Sequence, residues 1–423
     1  MRPEEREAIA VSLGSVLGTV AQKARLELWE IANTLPILDR ALPSMERTTV
    51  RLCERIRPEW RDHDRNGQVK VLLVRSTLGA STRYRMESKC EQLDMLGIPH
   101  TFRSVRDYLG HPVLAARDAA EHDIAVVHRL PIRADTSVLL YALSRLNRPI
   151  VYDADDLVFA PSLMSSIPPL ARGCVSHQAW LLEQCTHVIA ATEKLAEQVR
   201  TRGKPVRVVR NVLSRELLAL SRATREEARV RGDVRLGYLS GSPTHDRDLA
   251  AIGPALARVL ALHPDVLLVL IGPVDAPPEL EPFRGRVIRL QAVPWRDLPS
   301  LMADIDINLA PLELENPFCQ CKSELKYFEA AAVGIPTVAT PTSPFEDAIA
   351  QGVNGYLART ADDWVDALDE LIRRPDHRRE MGQAAQRDAE SRYAPETGAE
   401  ELVLALKEFL PGNPSRWPRP DTV

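Results

Sequence analysis

From residue 69 onward, short apolar runs alternate with longer segments whose apolar residues recur at helical spacing. The first run is Val69-Lys-Val-Leu-Leu-Val-Arg75, and further runs cover 123–129, 149–153, 186–192 and 206–212, with a weaker one near Thr101. Strands that alternate with helices in this way specify a parallel, doubly wound sheet. The pattern restarts at Val234-Arg-Leu-Gly-Tyr-Leu239 and continues through 266–271, 286–290, 304–310, 335–340 and 355–358. The expected architecture is α/β, with two Rossmann-like domains at 67–214 and 234–410. The charged, weakly patterned stretch 215–233 reads as their linker, and the Pro-rich stretch 411–423 as a disordered tail.

Residues 1–66 follow a different rule. Ile9, Leu13, Val16, Leu17, Val20, Ala24, Leu28, Ile31 and Leu35 keep helical spacing, and Pro36 closes that helix. Residues 8–22 carry no charge, but Glu4, Glu5 and Glu7 in front of them argue against a signal peptide. The expectation is a helical extension docked on the chain or on a second copy, with an interfacial membrane helix as the alternative.

Composition narrows the classes. No apolar run approaches the ~20 residues of a membrane span. The six cysteines include no CxxC pair and read as free thiols in a reducing compartment. The net charge of -4 is unevenly placed: 0 over 1–66, +7 over 67–225 and -11 over 226–423. A basic middle part suits an anionic partner such as a phospholipid surface or a lipid-linked diphosphate, and ordinary surface fluctuation explains it equally well. No basic cluster is interleaved with aromatics, so nucleic acid is not expected.

The stretch Cys321-Lys-Ser-Glu-Leu-Lys-Tyr-Phe-Glu-Ala-Ala-Ala-Val-Gly-Ile-Pro-Thr-Val-Ala-Thr340 carries the densest chemistry. It reads as a helix over 322–333, a turn at Gly334 and a buried strand over 335–340. Helical spacing puts Lys322, Lys326 and Glu329 on one face, and Leu325, Phe328 and Ala332 on another. Two cations near a helix N-terminus attract phosphate, and a carboxylate accepts hydrogen bonds from sugar hydroxyls. A solvated Lys–Glu pair on an amphipathic helix is the plainer explanation of the same spacing.

Glu329-Ala-Ala-Ala-Val-Gly334-Ile-Pro336-Thr-Val-Ala-Thr340 resembles the second half of the motif of retaining glycosyltransferases with the GT-B fold, the group 1 or family 4 enzymes. Their first motif Glu falls on Cys321 here, and Lys322-Ser-Glu-Leu-Lys326 looks like a variant branch of that family. The resemblance implies two facing Rossmann-like domains with the active site between them. It implies that Glu329 touches the ribose, and it carries a diphosphate-binding loop onto Gly241, Ser242, Thr244 and His245, beside Lys322, Ser323 and Lys326. His245, Lys322, Lys326 and Glu329 are the implied catalytic group.

In a doubly wound sheet ligands bind beyond the C-terminal strand ends. In the first domain Gly79, Arg83, Arg85, His128, Arg129, Asp153, Asp155 and Asp156 occupy such places and are the acceptor-side candidates. Asp153-Ala-Asp155 is also the pattern by which a metal-dependent enzyme of the GT-A fold holds its ion. The donor-like motif lies far downstream in a second sheet, so these acids are expected to position an acceptor hydroxyl or to act structurally.

The implied reaction is transfer of a sugar from a sugar nucleotide to a hydroxyl of a glycan, lipid-linked or protein-linked acceptor, with no tightly bound cofactor and no metal. The implied location is cytoplasmic, with peripheral contact at the inner face of the membrane. A nucleotide-sugar epimerase of the same fold and a non-catalytic sugar-nucleotide-binding subunit are the alternatives.

Overall fold

A computed structural model describes residues 67–76, 80–131, 133–160, 172–226, 232–241, 246–412 and 414–417. The helical extension expected over 1–66 lies outside the described residues. So do the site candidates Gly79, Ser242, Thr244 and His245.

Two six-stranded sheets form, with every strand pair parallel. The first contains β1 (Val71–Arg75), β2 (His100–Ser104), β3 (Ile124–His128), β4 (Ile150–Ala154), β5 (His187–Ala190) and β6 (Val206–Val208), in the order β2-β1-β3-β4-β5-β6. The second contains β7 (Val234–Leu239), β8 (Val266–Ile271), β9 (Val287–Leu290), β10 (Ile307–Ala310), β11 (Thr337–Ala339) and β12 (Gly355–Leu357), in the order β12-β11-β10-β7-β8-β9. The central strands are near-continuous apolar runs because helices cover both of their faces. Leu72 in β1 pairs with Thr101 on one side and Ala125 on the other, and is fully buried.

Three expected boundaries change, each for a packing reason. The Arg215–Glu226 stretch, read as linker, is a helix whose Leu217 and Leu218 join a buried cluster with Tyr84, Phe328 and Tyr393. The last helix, Pro395–Phe409, follows the second domain in sequence but packs on the first sheet. Its Ala399, Leu402, Leu406 and Phe409 share a core with Val71, Leu73 and Ile124. Gly398 permits that approach, since a Cβ there would lie 2.4 Å from Gln92 Nε2 and 2.8 Å from a Val212 methyl. Part of the expected disordered tail is also ordered: Trp417 is buried in the same core, and Arg416 binds Asp123 at 2.7 Å and the Gly67 carbonyl at 3.0 Å.

The motif helix is shorter than expected, Leu325–Ala332, and it ends at Gly334 with φ 78°. The Pro375–Arg392 helix lies directly over this turn. A Cβ on its Gly382 would sit 2.0 Å from the Gly334 carbonyl oxygen. Replacing Gly by Ala inside a helix normally gains about 1 kcal/mol. Here the obstruction is backbone, which has no rotamer to escape into. Gly382→Ala should therefore lower the unfolding free energy by about 1–3 kcal/mol in urea titration; a neutral or stabilising result would show that the helix does not press on this turn.

Candidate active site

The site forms where the Leu325–Ala332 helix meets the C-terminal end of β7 and the N-terminal part of the first domain's helical segment 80–95. Lys322 and Ser323 are not on the helix face, as the spacing had suggested, but in the turn before it. That turn is held from the first domain. Thr192 Oγ1 donates to the Cys321 carbonyl at 3.0 Å, and Asn211 Nδ2 donates to Ser323 Oγ at 2.8 Å. Glu324 follows at the helix N-cap, its buried carboxylate accepting from Tyr393 Oη at 2.9 Å.

Lys322 and Lys326 still converge. Lys322 Nζ lies 3.8 Å from Asp248 Oδ2 and 5.3 Å from the centre of the Phe318 ring. Lys326 donates to the Leu239 carbonyl at the end of β7, with its ammonium 4.3 Å from the centre of the Tyr238 ring. Burial, and then the like charge of Lys322, lower the Lys326 pKa from 10.5 to about 8, against the pull of Asp248 and Glu329. Gly241 is exposed just beyond the same strand end.

Glu329 stands one helical turn from Lys326. Its Oε1 accepts from the Tyr84 hydroxyl and from Arg83 Nη2 at 3.3 Å, both across the cleft from the first domain. Among the described residues its Oε2 takes no hydrogen bond. Burial raises the carboxyl pKa, and Arg83, the Tyr84 hydroxyl and Lys326 oppose that rise. The Arg83 guanidinium carbon lies over two rings, 4.3 Å from the centre of Tyr84 and 4.8 Å from the centre of Trp295. Tyr84 in turn meets Phe328 edge-on at 5.9 Å.

Arg83 and Arg85 were both acceptor-side candidates, but the structure separates them. Residues two apart on a helix point to opposite sides, and here Arg83–Glu87 forms a π-helical turn, a common local distortion at functional sites. Arg83 reaches Glu329. Arg85 points back into its own domain and is fully buried, with Nε and Nη2 on Asp153 at 2.9 and 2.6 Å and Nη1 on Asn211 Oδ1 at 2.9 Å. Lys89 Nζ lies 2.9 Å from the other oxygen of Asp153. Asp153 is 0% exposed, so it and Arg85 are framework and do not line the cleft.

Of the remaining acceptor-side candidates, His128 and Asp155 are buried together. Ser81 Oγ donates to Asp155, and His128 Nε2 lies 3.1 Å from Ser81 Oγ and 3.3 Å from Asp155 Oδ2. Arg129, at φ 50°, bridges Asp155 at 2.8 Å and Asp156 at 2.7 Å. Burial works against the Asp155 carboxylate, but Arg129 and His128 hold its pKa well below the ordinary value. Arg129 and Asp156 are the part-exposed members of this group.

Sequence reasoning passed over Tyr84, Trp295 and Asp248. The available signals were an aromatic beside two arginines and a Trp just past the end of β9. A metal would have one described candidate group: ligand atoms of Asp248, Glu313 and Cys319 come within 4.8 Å of one another. The Lys322 ammonium, 3.8 Å from Asp248 Oδ2, places a positive charge beside that set and disfavours a cation there.

Residues 241–374 match the family model described as Glycosyl transferases group 1. Spore coat protein SA of Bacillus subtilis (strain 168) is 24% identical over 169 residues, covering 36% of this chain and 44% of that protein. D-inositol 3-phosphate glycosyltransferase of Corynebacterium urealyticum is 31% identical over 179 residues, covering 39% and 40%. The chain thus matches less than half the length of each of these relatives. The structure of Anabaena Alr3699/HepE in complex with UDP and glucose aligns with a TM-score of 0.57 at 18% identity, over 80% of this chain and 100% of that one. The fold is therefore GT-B, with two facing Rossmann-like domains.

The Asp153 network yields a direct test. Asp153→Asn would leave two buried cations facing an amide, and losing one partner of a buried ionic group costs about 3–5 kcal/mol. Denaturant unfolding should show a loss of that order. A loss below about 1 kcal/mol, or an intact stability with altered acceptor kinetics, would return Asp153 to the cleft.

Proposed function

We propose that this protein is a glycosyltransferase that moves a sugar from a sugar nucleotide to an acceptor hydroxyl. The observation that carries the reading is the convergence of Lys322, Lys326 and Glu329 at the end of β7, inside the span that matches the group 1 family. Glu329 Oε2 would accept from the ribose hydroxyls. The two lysines, the Gly241 amide and the Ser242, Thr244 and His245 positions would surround the diphosphate. Fixed cations at the leaving group favour the transition state more than the ground state, because charge on the diphosphate grows as the glycosidic bond breaks.

The finer details belong to the same proposal. Transfer proceeds with retention, the acceptor hydroxyl attacking from the face the diphosphate leaves, and no metal is essential. The donor is a UDP-sugar, a choice supported by the UDP in the Anabaena complex. On the first-domain side, Arg129 and Asp156 are the acceptor candidates with exposed surface. The acceptor is a glycan or a lipid- or protein-linked glycan, met in the cytoplasm or by peripheral contact at the membrane face. Among the described residues no helix is long and apolar enough to cross a membrane. One observation supports the non-catalytic alternative: Cys321, where the family's first motif Glu would stand, is buried against the first domain's core and offers no polar group to a sugar.

Nucleoside diphosphate release from UDP-, GDP-, ADP- and dTDP-sugars, measured with and without EDTA, tests the reading. Metal-independent release from at least one donor is expected. Binding without release would favour the non-catalytic subunit, and interconversion of the sugar without an acceptor would favour the epimerase.

Lys326 gives a pH signature. Its folded pKa of about 8 lies below its ordinary 10.5. The unfolded chain therefore binds more protons between those values, and stability from this group rises with pH across that window. Ligand affinity should move the other way, because the cation is lost above pH 8. Nucleoside diphosphate affinity should fall between pH 7 and 9 in the wild type and stay nearly flat in Lys326→Arg. Parallel slopes for the two proteins would remove Lys326 from the phosphate site.

A further inference from the structure

We propose that Arg83, although it belongs to the first domain, binds the diphosphate of the donor, so that the donor site is built from both sides of the cleft. This rests on the sugar-nucleotide reading above and adds a residue that the motif in the second domain does not contain.

The geometry carries the proposal. Arg83 is 8% exposed, and its Nη1 is buried with no hydrogen-bond partner. A guanidinium offers five N–H donors in a fixed plane and cannot escape the cost of an unmet one by deprotonating. Its other fork atom, Nη2, is on Glu329 at 3.3 Å. The guanidinium carbon lies 4.3 Å from the centre of the Tyr84 ring and 4.8 Å from that of Trp295, so two aromatic rings pack against the group and help to hold it in place. A buried, unsatisfied N–H beside a carboxylate favours an added oxygen acceptor with negative charge. Glu329 lies one helical turn from Lys326, and Lys326 feels the charge of Lys322, so the three cations bound one region. A diphosphate, with two negative groups and several acceptor oxygens, suits them.

Glu329 fits the same arrangement. Arg83 and Tyr84 both use its Oε1, which fixes the carboxylate and leaves Oε2 available to the ribose of the proposed donor. Arg83 would thus orient one donor-binding group while contacting the donor itself.

The test compares the full-length wild type, Arg83→Ala and Arg83→Lys by calorimetric titration with UDP and with uridine, with melting temperatures recorded. Arg83→Ala should weaken UDP binding roughly tenfold or more, the scale of a lost charge-assisted hydrogen bond, and change uridine binding far less. Arg83→Lys keeps the charge and much of the packing, so it should fold like the wild type and recover only part of the UDP affinity. A rise of ionic strength should shrink the wild-type advantage. Equal fractional losses for uridine and UDP, or UDP affinity equal to wild type in either variant, would overturn the proposal and make Arg83 a structural bridge. Failure of the wild type to bind UDP or any other nucleoside diphosphate would withdraw the proposal together with the sugar-nucleotide reading, whereas wild-type binding with no Arg83 effect withdraws the Arg83 assignment alone.

Discussion

The structure depends on one carboxylate held between two domains. Glu329 grows from a helix of the second domain, yet its partners Arg83 and Tyr84 come from the first. Burying that carboxylate would be unfavourable without them, since desolvation raises its pKa and the arginine, the tyrosine hydroxyl and Lys326 restrain the rise. The contact therefore exists only when the sheets face each other closely. It also fixes which oxygen is left for a ligand. The proposed donor site is therefore built at the domain interface, with groups from both sides.

Other interactions hold that interface in register. Asp153 pairs with both Arg85 and Lys89 inside the first domain and so anchors the helical segment that presents Arg83 and Tyr84. Asn211 links the same network to Ser323, and Thr192 caps the Cys321 carbonyl, so the turn before the motif helix is pinned from the opposite domain. The Pro395–Phe409 helix returns from the second domain to pack on the first sheet. Against this framework Lys326 stands out, because its buried ammonium is held at a pKa of about 8 near another lysine. Such a buried, perturbed cation beside a second lysine suits the anion-binding role proposed for it.

Much of the fold was legible because parallel strands buried on both faces leave near-continuous apolar runs, as in Val71–Arg75 and Val266–Ile271. Boundaries were less legible where tertiary packing overrides local pattern. Residues 215–226 look like a charged linker, and become a helix because Leu217 and Leu218 have a core to enter. Lys322 kept helical spacing with Glu329, but hydrogen bonds from Asn211 and Thr192 hold the chain in a turn there. The juxtaposition of Lys326 and Glu329 was readable from spacing within one segment. Arg83 and Tyr84 were not, because 246 positions separate Arg83 from its partner and a π-helical turn sets its direction. The same distance hid the fate of Asp153, which sits at a strand end where ligands usually bind but meets two cations first.

The measurement that tests this account most directly is the affinity of Glu329→Gln for a nucleoside and its diphosphate, by calorimetry on folded protein. If Glu329 Oε2 receives the ribose hydroxyls, both affinities should weaken by roughly 1–3 kcal/mol, the scale of a charge-assisted hydrogen bond. Wild-type affinity for both ligands in a variant with an unchanged melting temperature would show that the carboxylate is an interface bridge and that the donor binds elsewhere.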